Sequence, residues 1–232
     1  MLGTSHAHNS SPVTTKLTYE DYLKTSNNER LELLDGVLTM PPAPNTAHQS
    51  VQTELGWRIA QFVREGQLGH VFFAPTDVVL SHTDVVQPDL LFISRERADI
   101  ITPANIQGAP DLIVEIRSDS TAERDETVKR QLYAERGVKE YWLVDPDAAT
   151  TTVLLLGKDG YEKVAIYREG QTLTSPTLQG FNVNLNEIFR ASDQCKSCLI
   201  PRLFPRTTQR HRACHVCLYA IRKSRAFKVN AH

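Results

Sequence analysis

The first 194 residues of this 232-residue chain contain no cysteine; all four, Cys195, Cys198, Cys214 and Cys217, lie beyond them. The larger part therefore needs no disulfides, which suits a reducing compartment. Nowhere do apolar residues run for the roughly 20 positions needed to span a bilayer. Residues 1–15 are polar and lack the basic start and apolar stretch of a secretory signal, so the expected location is cytoplasmic, with no membrane partner. Twelve prolines and eleven glycines are too few for a collagen-like or low-complexity chain, and no internal repeat is present. With 41% apolar residues, the composition is that of one globular domain with a small appendage.

Acidic residues are almost missing from the C-terminal part. Residues 190–232 hold ten of the 26 Lys and Arg but one of the 27 acids, Asp193, a net +9 that leaves −10 on residues 1–189. Such a split predicts an acidic folded body and a separate basic segment. The expected division is a disordered leader at 1–16, a folded body at 17–189 and a basic, cysteine-containing tail at 190–232. The tail spacing, Cys195-x2-Cys198, fifteen residues, then Cys214-x2-Cys217, matches a four-thiolate Zn²⁺ site. No glycine follows either pair and the intervening segment is Arg-rich, so a disordered basic extension is the alternative. In both cases the charge suits nucleic acid.

The pattern along the body alternates helices and strands without a regular βαβ repeat. Thr18 and Asp21 form a capping box that opens a short helix through Leu23. Asp35-Gly36 between Leu31–Leu34 and Val37–Met40 is a two-residue hairpin signal. A helix is predicted from Thr46 to Glu65, with Val51, Leu55, Ile59 and Phe62 on one stripe and Gly66 as C-cap. Strands follow at His70–Ala74, Asp77–Leu80, Val85–Ile93 and Asp111–Arg117. A second helix runs from Ala122 to Arg136, ending at Gly137; then come a strand at Glu140–Val144, a hairpin of Thr151–Leu156 with Tyr161–Tyr167, and an amphipathic turn at Asn184–Phe189. This order implies a mixed sheet with helices. The expected core includes Val51, Leu55, Leu90, Val114, Ile116, Trp142 and Val144.

Two carboxylates interrupt strands that are otherwise apolar. Asp89 sits within Val85–Ile93, and Glu115 within Leu112-Ile113-Val114-Glu115-Ile116. Strand residues alternate faces, so Ile113, Glu115 and Arg117 point one way and Leu112, Val114 and Ile116 the other. A carboxylate buried alone costs several kcal/mol and must be protonated, paired or bound to a cation. Two on neighbouring strands facing one cleft make a site for a hard divalent cation. Asp111 is a poorer partner for Glu115: four residues along one strand separate them by about 13 Å. Lys129, on the following helix, can reach back to the site or pair with Asp125 on its own helix. His48 is either a general base or a first-turn helix residue.

Several segments, in this order, resemble the Uma2 family: Glu32-Leu33-Leu34-Asp35-Gly36, Pro42-Ala43-Pro44 with His48-Gln49, Gln87-Pro88-Asp89-Leu90, residues 108–115 and Gly137-Val138-Lys139-Glu140-Tyr141-Trp142-Leu143-Val144-Asp145-Pro146. The resemblance spans roughly residues 17–189. It implies a mixed α/β, restriction-endonuclease-like fold of the PD-(D/E)xK superfamily, with a central mixed β-sheet flanked by helices. It implies an endonuclease that hydrolyses phosphodiester bonds of DNA with Mg²⁺ held by Asp89 and Glu115. Lys129 would orient the attacking water, and Glu32 matches a recurring glutamate beside the site. A symmetric homodimer would suit double-strand cutting. A catalytically silent DNA-binding or interaction protein, or an RNA-directed nuclease, would share the same fold. Two positions depart from the family pattern: Arg117 stands at the x-K position, where the family generally has an apolar residue, as a cationic substitute or as Glu115's partner, and Asp119 stands where proline is common.

Overall fold

The computed structural model describes residues 16–25, 30–118 and 125–189. Residues 1–15 of the expected leader, Asp119 and the four tail cysteines lie outside them, as does the division at residue 190.

A six-stranded mixed sheet, in the order β11-β10-β9-β8-β6-β3, forms the centre. Its strands are β3 (Gly69–Phe73), β6 (Leu90–Ser94), β8 (Leu112–Ile116), β9 (Glu140–Asp145), β10 (Thr150–Gly157) and β11 (Gly160–Arg168). β8 and β9 pair in parallel; the other neighbours are antiparallel. A second sheet of five strands has the order β2-β1-β5-β4-β7, made of β1 (Glu32–Leu34), β2 (Val37–Thr39), β4 (Val78–Ser81), β5 (Asp84–Val86) and β7 (Ile106–Gln107). A small hairpin, β12 (Thr172–Thr174) with β13 (Asn182–Asn184), completes the strands described.

Strand alternation sorts the central sheet into two apolar layers. Leu90, Leu112, Val114 and Ile116 face α2 (Thr46–Glu65), meeting Val51, Leu55 and Ile59 there. Leu91, Ile93 and Ile113 face the opposite way, toward Leu34, Val78 and Val86 of the second sheet and Leu132 and Tyr133 of α3 (Arg130–Arg136). All seven core residues expected from the sequence are buried in the α2 layer. Glu115 shares the parity of Ile113 and so projects toward the second sheet and α3.

Local rules account for the element ends. In α1 (Tyr19–Tyr22), Thr18 donates from its backbone N–H and its hydroxyl to Asp21 Oδ2, at 3.2 and 3.0 Å. Asp35 and Gly36 turn the β1–β2 hairpin with φ of 49° and 74°, which glycine adopts without steric cost. α2 has the predicted bounds, and its N-cap is Asn45, whose side chain accepts from His48 N at 2.8 Å. Gly66 does end α2 but in a right-handed conformation, φ −80°; the left-handed residue is Gln67, φ 50°. The closing turn is helical over residues 185–189, with Leu185, Ile188 and Phe189 buried.

Two sequence expectations need correction. The single strand at Val85–Ile93 is two strands, β5 and β6, in different sheets. The chain crosses between sheets at Gln87-Pro88-Asp89, where proline lacks an N–H for a ladder. Gln87 N instead donates to Glu32 Oε1 at 3.0 Å, and Asp89 Oδ2 accepts from Ile116 N at 2.8 Å. The helix read from Ala122 to Arg136 is, where described, a π-helical turn at Asp125–Lys129 followed by α3. Val128 is half-exposed while Lys129 is buried, because pairing with carboxylates overrides the apolar pattern there.

Candidate active site

The parallel pairing of β8 with β9 shapes the site. A parallel connection must return across the sheet before it can start the next strand. That return carries Lys129 and Tyr133, four residues apart and on one helical face, over Glu115. Lys129 Nζ lies 3.0 Å from Glu115 Oε1, and the Tyr133 hydroxyl donates to the same oxygen at 2.7 Å. Lys129 Nζ also reaches Glu32 Oε1 on β1, at 2.9 Å. One ammonium thus joins a carboxylate from each sheet. Burial first, and then the charge of Glu115, push the Tyr133 phenol well above its ordinary value, so it remains a protonated donor.

Asp89 is held from the other side. Its Oδ2 lies 3.0 Å from His48 Nε2, and its Oδ1 lies 3.6 Å from a guanidinium nitrogen of Arg30. A carboxylate only accepts, so the proton in the contact with His48 sits on Nε2. His48 Nδ1 is buried and has no hydrogen-bond partner among the described residues. Gln52, one turn along α2, donates to the Asp89 carbonyl at 2.8 Å.

Glu32, His48, Asp89, Glu115 and Lys129 are each 1–5% exposed, a degree of burial that charged residues reach only when paired. All five line one cavity of about 40 Å³, room for an ion or a water or two. The structure therefore brings Asp89, Glu115, Lys129 and Glu32 together, and adds His48, Arg30 and Tyr133. Tyr133 was legible as the fourth residue after Lys129 on a predicted helix. Arg30 carried no signal in the sequence.

Other candidate residues go elsewhere. Arg117 pairs with Asp145 at 2.9 Å, across β8 and β9. Asp111 lies at the far end of β8, held by Ser94 N, Arg97 and Lys139. Glu140, a further buried carboxylate, accepts from Ser175 Oγ and Thr177 N and serves the packing of the β12–β13 hairpin. Among the described residues, no three His, Cys, Asp or Glu side chains form a ready-made metal cluster.

The sequence matches the family described as "Uma2: Putative restriction endonuclease" over residues 18–186, most of the chain. The chain belongs to the Uma2 family. It is thus a member of a nuclease family, and the matched segment contains every element that builds the cavity. Among solved structures, "a putative nuclease belonging to DUF820 from Anabaena variabilis ATCC 29413" superposes on this Uma2 chain with a TM-score of 0.65. The match covers 75% of this chain and 98% of that one at 19% identity, a likeness of fold. No curated protein matches the chain. No described helix is long and apolar enough to cross a membrane.

Proposed function

We propose that this Uma2 protein is a cytoplasmic, Mg²⁺-dependent endonuclease that hydrolyses phosphodiester bonds of DNA. The observation that carries the reading is the convergence of Asp89, Glu115, Glu32 and Lys129 on one small buried cavity. A structural ion pair needs two partners; here three carboxylates and an ammonium that bridges two of them line one cavity, a charge arrangement suited to a cation and a phosphate.

The donors fit Mg²⁺. They are hard carboxylate oxygens, and Mg²⁺ binds through one or two of these while keeping waters and substrate phosphate oxygens as its other ligands. Asp89 and Glu115 are the residues that would hold the ion. When bound, it supplies charge neutralisation at the scissile phosphate and a lowered pKa for an attacking water.

The protein's own groups have separable tasks. Lys129 donates to the water or to a phosphate oxygen and stabilises the negative charge that grows in the transition state. Glu32 holds Lys129 in place and is itself fixed by the Gln87 N–H. Tyr133 orients Glu115, and His48 with the Ile116 N–H orients Asp89. The net +9 charge of residues 190–232 strengthens the hold on DNA. Cutting both strands of a duplex would use a symmetric pair of these chains.

The test is nicking of supercoiled plasmid by purified protein. Cleavage should require Mg²⁺, stop with EDTA and disappear in Glu115→Gln. Wild-type protein that binds DNA without cutting it under any divalent ion would instead indicate a silent nuclease fold. Cleavage of RNA alone would reassign the substrate.

A further inference from the structure

A groove of about 760 Å³ opens beside the catalytic cavity, and Arg30 and Pro44 line both. Two of its lining side chains are large aromatics. Trp57 of α2 is 58% exposed and Phe73 at the end of β3 is 39% exposed. Large aromatic side chains left in solvent within a concave site are uncommon without a ligand to cover them. Both rings are held in place. Arg58 lies over the Trp57 ring, 5.4 Å from its centroid, and is itself held by Glu54 and Glu187. Phe73 packs against Gly56, where a β-carbon would come within 2.3 Å of the ring. Glycine in mid-helix costs about 0.5–1 kcal/mol, and here it admits the wall of the groove.

The polar lining is neutral and tied to the catalytic aspartate. Gln49 donates to Gln52 at 3.0 Å, and Gln52 donates to the Asp89 carbonyl at 2.8 Å. Gln49 is exposed, with its amide available to a base edge. Among the described residues, Arg30 is the one charged side chain lining the groove. A duplex presents phosphates and hides its base faces, so binding one calls for several cations. Aromatic walls, amides and a single cation are suited to bases that are already unstacked. A protein partner would bury the same rings, yet it would draw nothing from continuity with a phosphodiesterase cavity through Arg30.

We propose that this groove binds unpaired bases of the DNA strand being cut, with one base stacked on Trp57 and a second on Phe73, and that Arg30 holds the phosphate passing into the cavity. The inference rests on the nuclease reading above and narrows its substrate to DNA with a single-stranded stretch at the cleavage position.

Trp57 provides the readout, because the chain has two tryptophans and the other, Trp142, is fully buried. Full-length protein carrying Glu115→Gln is titrated with a ten-nucleotide oligo-dT in 0.3 M NaCl, which suppresses binding by the basic tail. Fluorescence should be quenched by the oligomer, and much less by an abasic oligomer or a duplex of equal length. In Trp57→Ala, affinity for a labelled oligo-dT should fall about 5- to 150-fold, the range for one aromatic stack; Trp57→Phe should recover most of it. Quenching by duplex and abasic strands alike would overturn the proposal. So would a self-association of the protein that Trp57→Ala abolishes, with no response to oligo-dT. Selective quenching without Mg²⁺-dependent cleavage by wild-type protein would sink the nuclease reading and leave the groove. Cleavage of single-stranded and duplex substrates unaffected by Trp57→Ala would do the reverse.

Discussion

Lys129 Nζ stands 3.0 Å from Glu115 Oε1 and 2.9 Å from Glu32 Oε1, so a single ammonium bridges carboxylates delivered by two different sheets. The pairs are also a structural joint. Here a buried carboxylate of each sheet meets the same cation, which offsets part of the desolvation cost of both.

Removing that cation should be costly. Lys129→Met leaves Glu32 and Glu115 facing each other across the cavity and should destabilise the protein by about 3–5 kcal/mol. Adding Glu115→Gln should restore part of the loss, a non-additivity that urea denaturation of both single variants and the double variant measures. Strictly additive losses would show that the pair is not coupled.

Asp89→Asn should separate catalysis from folding. Its side-chain oxygen can still accept from Ile116 N, so the crossing between sheets survives and the melting temperature should shift little. Mg²⁺-dependent cleavage should fall by about 10²–10⁴-fold, as loss of several kcal/mol of charge stabilisation requires. Cleavage at wild-type rate would move the metal site away from Asp89.

Acid should weaken the protein through Asp111. Burial pushes its carboxyl up, but the Lys139 ammonium, the Ser94 N–H and the Arg97 guanidinium outweigh that and leave it below the ordinary carboxylate value. A group whose value is depressed on folding contributes stability above its unfolded value, near 4, and loses it as pH falls through the folded one. Asp111→Asn should therefore lower stability at pH 7 and lower it less at pH 3, measured as unfolding midpoints at each pH. A loss independent of pH would assign Asp111 a packing role.

The tail has two measurable consequences. Deleting residues 190–232 should leave the body folded, since all seven of its expected core residues pack within it, and should reduce the slope of log affinity for DNA against log salt. If Cys195, Cys198, Cys214 and Cys217 bind zinc, full-length protein should carry about one equivalent, lost when either pair is changed to serine. Metal-free protein with an unchanged salt slope after deletion would remove the tail from the mechanism.

Much of this molecule is written locally. Asp35-Gly36 dictates a hairpin because the turn needs two positive φ angles, and the spacing of Val51, Leu55 and Ile59 dictates α2 and the face it buries. Asp89 and Glu115 stand out because each interrupts an apolar strand where a lone carboxylate is unaffordable. What the sequence could not express are pairings across distance. His48 meets Asp89 over 41 residues and Lys129 meets Glu32 over 97, and no periodicity links such positions. Those contacts follow from the parallel β8–β9 pairing, which sends Lys129 back over the sheet, and from the crossing at Gln87-Pro88-Asp89, which splits one apolar run between two sheets. The wall of Trp57 and Phe73 is of the same kind: the helix pattern places Trp57 in solvent, and only the packing of β3 against Gly56 sets a second ring beside it. Local propensity decided which elements form; topology decided which charges and rings those elements bring together.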